Sequence, residues 1–241
     1  MRLVRPYVLA AIALPLIVGC GDAGGPGDQP SESGDPHSPV PVLDPGAPLE
    51  PQMEAAILAD DVDLVSDILA AGYDPTSPLD DGVNTLHRAA CDSAADTIPV
   101  LVAAGVPLEE RVNRQTPLMM AAAFGDYETT IALLEAGADV DAVDDFRFGA
   151  RPIHIAVRWG NVEALSALVD FGVDVDMLDG INAHPLGWAA YFGEFEAFTY
   201  LLEQGADVNL RDDYGDTPLR AATRAGHEDI AAILRDLGAI E

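Results

Sequence analysis

Residues 116–141 read TPLMMAAAFGDYETTIALLEAGADVD. Thr116 can cap a helix while Pro117 occupies its first position, where no amide hydrogen is missed. Ala121 and Ala122 let a neighbouring helix approach closely. A second run then carries Leu133 and Leu134 at helical spacing. Glu128 sits near the positive end of that helix's dipole, and Gly137 suits a left-handed cap at its end. The stretch therefore predicts two short helices in succession. It also recurs: Gly72, Gly105, Gly137, Gly172, Gly205 and Gly238 are spaced by 33, 32, 35, 33 and 33 residues. Pro117, Pro152, Pro185 and Pro218 follow at 35, 33 and 33. Two rulers with one period predict a solenoid, in which no unit buries its apolar face alone.

The recurring units are NTLHRAA (84–90), TPLMMAA (116–122), RPIHIAV (151–157), HPLGWAA (184–190) and TPLRAAT (217–223). Each is followed by a second run such as EAFTYLLEQGADVN (196–209), opening on an acid at Glu128, Glu163, Glu196 or Glu228. These units resemble ankyrin repeats, and the resemblance covers residues 49–241. It implies an all-α solenoid of stacked helix-turn-helix units with short hairpin fingers between them. The approximate repeats are 49–76, 77–109, 110–142, 143–177, 178–210 and 211–241. Several positions depart from the pattern. Thr85 stands where Pro is usual, and Arg151 and His184 replace the capping Thr, so those two helix starts are expected to be less stable. The first repeat lacks the signature and reads as an N-terminal cap. The last must present its own polar outer face, with Arg235 and Asp236.

The first residues do not belong to that core. Arg2 and Arg5 form a basic region ahead of an apolar run over residues 7–18. The run is shorter than the roughly twenty residues a membrane span needs, and it reads as a signal peptide. Residues 16–20, LIVGC, resemble the lipobox of bacterial lipoproteins. That resemblance implies a signal peptide over 1–19 and acyl chains carried by Cys20, enough of them for stable anchoring to a lipid bilayer. The alternative is an ordinary signal peptide with a chance Cys at its end. Gly21 after Cys20, by resemblance to bacterial sorting rules, favours the outer membrane, facing the periplasm or the surface; Asp22 one place later weakens that reading. Residues 20–48 are rich in Gly, Pro, Ser and Asp and predict a flexible linker.

The chain carries 41 acids against 12 bases, for a net charge of −29, and every base is Arg. Such a charge repels phosphate backbones, which argues against nucleic-acid binding. With 49% hydrophobic residues, the chain can still pack a core. There are two cysteines. If Cys20 is lipidated, Cys91 has no intrachain partner and is expected to be a packed small residue, with no disulfide framework.

The resemblance implies that His87 and His154 hydrogen-bond backbone and hold repeats together, and gives His227 a similar structural place. His184 is off-pattern, at a finger where it could be exposed. The acidic turns around Asp139–Asp145 and Asp174–Asp179 lack the spacing and closing glutamate of an EF-hand. No catalytic constellation, phosphate loop or metal-ligand spacing stands out, so no cofactor, metal or small-molecule substrate is expected. In ankyrin proteins the fingers and the first-helix residues after the Ala pair form the binding surface. Here those positions hold Phe124, Arg158, Trp159, Tyr191, Phe192 and Arg224 on helices, and Phe146, Arg147, Phe148, Ile181 and Tyr214 on fingers. Arg and aromatic residues clustered on one surface match the composition of protein-binding hot spots. The alternative for the aromatics, Phe192 and Trp159 above all, is packing between repeats. The sequence thus predicts a non-enzymatic, membrane-tethered module that binds another protein in the envelope or outside the cytoplasm. The alternatives are an inhibitor or immunity-type protein that blocks one enzyme or toxin, and an envelope scaffold or chaperone.

Overall fold

Twelve helices run through the described residues of a computed structural model, which cover 42–79, 82–145 and 148–241. The signal peptide, Cys20, most of the linker, and the finger residues Phe146 and Arg147 lie outside them. The helices come in consecutive pairs. The first members are α1 (Leu49–Leu58), α3 (Thr85–Cys91), α5 (Pro117–Phe124), α7 (Pro152–Arg158), α9 (Pro185–Phe192) and α11 (Pro218–Ala225). Their partners are α2 (Val62–Ala70), α4 (Ile98–Ala103), α6 (Tyr127–Glu135), α8 (Val162–Asp170), α10 (Phe195–Glu203) and α12 (Glu228–Asp236). Each of α1 to α9 in the first row packs against the next first-row helix, and the second row does the same from α2 to α10. The described residues form no strand, only an isolated bridge between Val112 and Gln115. The architecture is an all-α solenoid.

Local chemistry explains where the helices stop and start. Thr116 and Thr217 accept hydrogen bonds from the amides of Met119 and Arg220, each at 3.3 Å, with Pro at the first helical position. The six marker glycines all adopt positive φ, from 78° at Gly238 to 105° at Gly172. At each, the glycine amide and the next amide bond back to carbonyls of the last turn, as Gly137 does to Leu134 and Ala138 to Leu133. This closure uses the final carbonyls of the second helix and turns the chain toward the next finger.

Between the rows lies one continuous apolar core. The Ala pairs Ala89–Ala90, Ala121–Ala122 and Ala189–Ala190 are buried, and so are Leu133, Leu165, Phe198, Leu201 and Leu234 from the second row. Each large side chain so buried contributes about 1.5–3 kcal/mol.

Polar side chains stitch neighbouring hairpins. The Nε2 of His87 bonds the Gln115 carbonyl at 2.9 Å, and that of His154 bonds the Ala183 carbonyl at 3.1 Å. His227 does likewise to Tyr191 at 3.1 Å. Asp60 accepts from the amides of Asp96 and Thr97, capping α4 from the preceding hairpin. Arg151 provides no side-chain cap for α7; its guanidinium instead reaches Asp141 at 2.5 Å and the Leu178 carbonyl at 2.9 Å.

One sequence expectation is corrected. His184 is buried, not exposed at a finger tip. Its Nδ1 accepts from the Gly187 amide, and its Nε2 bonds the Leu210 carbonyl of the next hairpin, both at 3.2 Å. One ring therefore caps α9 and staples two hairpins, so the start of α9 is not left uncapped. Burial pushes the His184 pKa down, in keeping with a neutral ring that accepts at one nitrogen and donates at the other. Cys91 is buried at the end of α3.

Candidate functional site

The first helices after α5 end in large side chains. Phe124 closes α5, Trp159 caps α7 and Phe192 closes α9, one above another at the repeat spacing. The Phe124 and Trp159 rings stack with centroids 5.0 Å apart. The Arg158 guanidinium lies 5.2 Å from the centroid of Phe192, within cation–π range. Tyr191 meets Phe192 edge-on at 5.2 Å. All five are half-buried, so the rings pack between hairpins and also present edges to solvent.

A cleft open to solvent lies beside these rings. Phe148 and Ile181 from two fingers, Trp188, Tyr191 and Phe192 from α9, and Arg224 from α11 contribute to its lining. The cleft therefore brings together Phe148, Ile181, Tyr191, Phe192 and Arg224 from the sequence-derived set. Arg158 joins through Phe192, and Phe124 with Trp159 continues the aromatic line away from the cleft. Tyr214 stands apart on its finger, 56% exposed and outside the lining.

Sequence reasoning missed Trp188, Asp212 and Asp216. Trp188 follows Gly187 at a place in the unit held elsewhere by Arg88, Met120, Ile155 and Ala221. A Trp at that variable place, beside a residue with no side chain, was the available signal. Its indole Nε1 donates to Asp179 Oδ2 at 2.9 Å, and its ring meets His154 at 5.5 Å. Asp179 also accepts from the amides of Ile181 and Ala183, both at 2.8 Å, which binds the finger to the wall of the cleft. Burial raises the Asp179 pKa, and those hydrogen bonds oppose the rise.

The finger backbones touch directly. The Gly180 amide donates to the Phe148 carbonyl at 2.7 Å, and the Asp213 amide to the Ile181 carbonyl at 3.0 Å. A Cβ on Gly180 would stand 2.7 Å from that same Phe148 oxygen, so the approach needs glycine.

Charge at the cleft is arranged by depth. Asp216 is 7% exposed and pairs with both Arg224 nitrogens and, at 2.9 Å, with Arg220 Nε. Asp212 Oδ1 accepts from the amides of Tyr214 and Asp216, which folds its own finger. Burial lowers the Arg158 pKa, and Asp144 opposes that shift. Among the described residues no group of His, Cys, Asp or Glu has the arrangement of a metal site. The acidic turns close on themselves: Asp139 Oδ1 accepts from the Asp141 amide and Asp174 Oδ1 from the Asp176 amide. An apolar wall with fixed polar groups at its rim can seat a side chain of a partner protein.

The family model for ankyrin repeats, built on three copies, matches residues 53–144 and 153–240. The E3 ubiquitin-protein ligase KEG of Arabidopsis thaliana is 39% identical over 85 residues, which are 34% of this chain and 5% of that protein. Protein PhlB of Serratia liquefaciens is 35% identical over 104 residues, 42% of this chain and 45% of that protein. The chain thus spans less than half the length of either relative.

Proposed function

The chain belongs to the ankyrin-repeat family, a family of protein–protein interaction modules, and from that premise we propose that it is a membrane-tethered module that holds its partner in the cleft lined by α9, α11 and the neighbouring fingers. The observation that carries the reading is the convergence of Phe148, Ile181, Trp188, Tyr191 and Phe192 on one open cleft rimmed by Arg224. Aromatic and Arg side chains in such a setting are the residue types on which binding energy concentrates. In this reading the partner is an envelope or extracytoplasmic protein.

The tether is the second half of the proposal. The LIVGC segment and the Gly/Pro/Ser-rich residues 20–48 support acylation at Cys20, with a linker that holds the solenoid clear of the lipid. Gly21 supports the outer membrane as the destination. Radioactive fatty-acid labelling lost in Cys20→Ser supports the anchor; label retained in that variant rejects it.

Docking is tested by purifying the full chain from detergent-solubilised envelope beside a variant carrying Phe148→Ala, Ile181→Ala and Tyr191→Ala, three residues that line the cleft. The expected result is loss of the co-purifying partner with the thermal midpoint preserved. Equal recovery of the same partner by the folded variant would remove the cleft from the proposal.

A further inference from the structure

The two rows of helices differ in charge. Helices α3, α5, α7, α9 and α11 carry no Asp or Glu, and hold Arg88, Arg158, Arg220 and Arg224. In the second row, α2, α6, α8, α10 and α12 each carry at least two acids. A chain of net charge −29 has thus kept acids off five of its six first-row helices, α1 with Glu50 and Glu54 being the exception.

The acids that do border the cleft are already committed. Asp216 is buried under Arg220 and Arg224, Asp179 is buried behind Trp188, and Asp212 folds its own finger through Oδ1. The side chains of Arg220 and Arg224, by contrast, are 53% and 35% exposed. Asp212 and the exposed Asp213 put negative charge on the finger side of this rim, but two guanidinium groups share the one Asp216 carboxylate, so the α11 side carries one positive charge in excess. A Lys or Arg entering on the α11 side would face guanidinium groups of like sign.

Building on the docking reading above, we propose that the cleft takes an acidic segment of the partner protein. An aromatic or large aliphatic side chain seats among Phe148, Ile181, Trp188 and Tyr191, and a flanking Asp or Glu side chain reaches Arg220 and Arg224. Guanidinium–carboxylate pairing supplies direction, and the rings supply the apolar contact. The bulk charge of the chain points the other way, toward a basic partner. Local charge at the contact decides which segment fits, while the distant acids affect only the encounter.

The test uses the full chain in non-ionic detergent and three fluorescein-labelled decapeptides. All share a Trp-Leu centre, flanked by Asp and Glu, by Ser and Gly, or by Lys. The acidic peptide is expected to bind about tenfold more tightly than the Lys peptide by fluorescence anisotropy. Its association rate should rise as salt screens the net negative chain, from about 20 to about 150 mM NaCl. Arg220→Gln, which leaves Asp216 paired with Arg224 alone, should abolish the preference at an unchanged thermal midpoint, and Glu163→Gln with Glu196→Gln on the outer row should leave it intact. Neutral or Lys-flanked peptides binding equally or better would overturn the proposal, as would no binding by any of the three. If a non-acidic peptide binds and Tyr191→Ala releases it, the docking reading stands while the charge inference falls. If Tyr191→Ala leaves both peptide binding and partner recovery untouched, both fail.

Discussion

Helices α5 and α9 occupy equivalent places two hairpins apart and are filled in opposite ways. In α5, Met119 and Met120 are both buried, and the helix presents an aliphatic face. In α9 the same two places hold Gly187 and Trp188. The missing side chain leaves room beside the indole, and the wall opens into the cleft. The shared positions, Pro117 and Pro185, Leu118 and Leu186, and the Ala pairs, are buried in both. Positions that the period demands build the solenoid, and positions it leaves variable make one stretch of its surface different from another.

The comparison breaks first if the common core does not carry the stability. Phe198 is fully buried, and Phe198→Ala should cost about 3–5 kcal/mol in urea unfolding. Because hairpins contact only their neighbours, the C-terminal hairpins should unfold ahead of α1–α6 in that variant, seen as a second transition. A single shifted transition would show that the two halves are not separable, and an unshifted one that Phe198 does not carry the stability.

Next in size is a pair of glycine substitutions. Gly193 has φ 78°, and a Cβ there would stand 2.3 Å from the His227 ring that bonds the Tyr191 carbonyl. Gly205 has φ 87° and nothing within 4 Å. Gly205→Ala should cost about 1 kcal/mol for the backbone alone, and Gly193→Ala about 2–3 kcal/mol by adding the clash. Equal thermal shifts would mean that the His227 stitch carries no weight.

The two signature histidines sharpen the contrast through pH. Burial lowers the His154 pKa to about 3, and it lowers His87 as well. A folded pKa below the unfolded value means that the unfolded chain binds the extra proton. The stability given by neutral His154 is thus fully present above about pH 6.5 and drains away as pH falls toward about 3. Asp179 and Glu194, with pKa values raised by burial, act in the opposite direction. The diagnostic is therefore the difference between the wild type and His154→Gln, which should shrink between pH 6.5 and 3. A constant difference would contradict it. His87 also contacts Asn84 Oδ1 through Nδ1, at 2.6 Å, whereas His154 Nδ1 is buried without a hydrogen-bond partner. His87→Ala should therefore cost more than His154→Ala, by about 1 kcal/mol in urea unfolding at neutral pH.

The smallest effect belongs to the finger tip. Tyr214, 56% exposed, should change stability by less than about 0.5 kcal/mol when replaced by Ala. A larger loss in urea unfolding would place Tyr214 in the packing rather than at the surface.

Much of this was legible in the chain. The Thr-Pro starts, the glycine stops and the spaced Leu side chains each act within one turn of helix, so their consequences follow from local order. His184 was misread for a related reason: its capping bond spans three residues, but the carbonyl it staples belongs to Leu210, on the next hairpin. Arg151 provides no side-chain cap, as its type predicts, while its pairing with the Leu178 carbonyl was equally distant. Trp188 was overlooked because its partner Asp179 lies nine residues back, on a finger whose path depends on the neighbouring finger.

By itself the sequence determined the period, the helix pairs, the register of their buried faces and the surface from which aromatic side chains project. Those depend on backbone preferences and apolar spacing, which are properties of short segments. Tertiary structure alone decided that five of the projected residues meet at one cleft, and that the one carboxylate of Asp216 lies buried under two arginines. Such features arise from the approach of groups on different hairpins, and the free energy of a buried charge or a shared cavity depends on what stands across the gap.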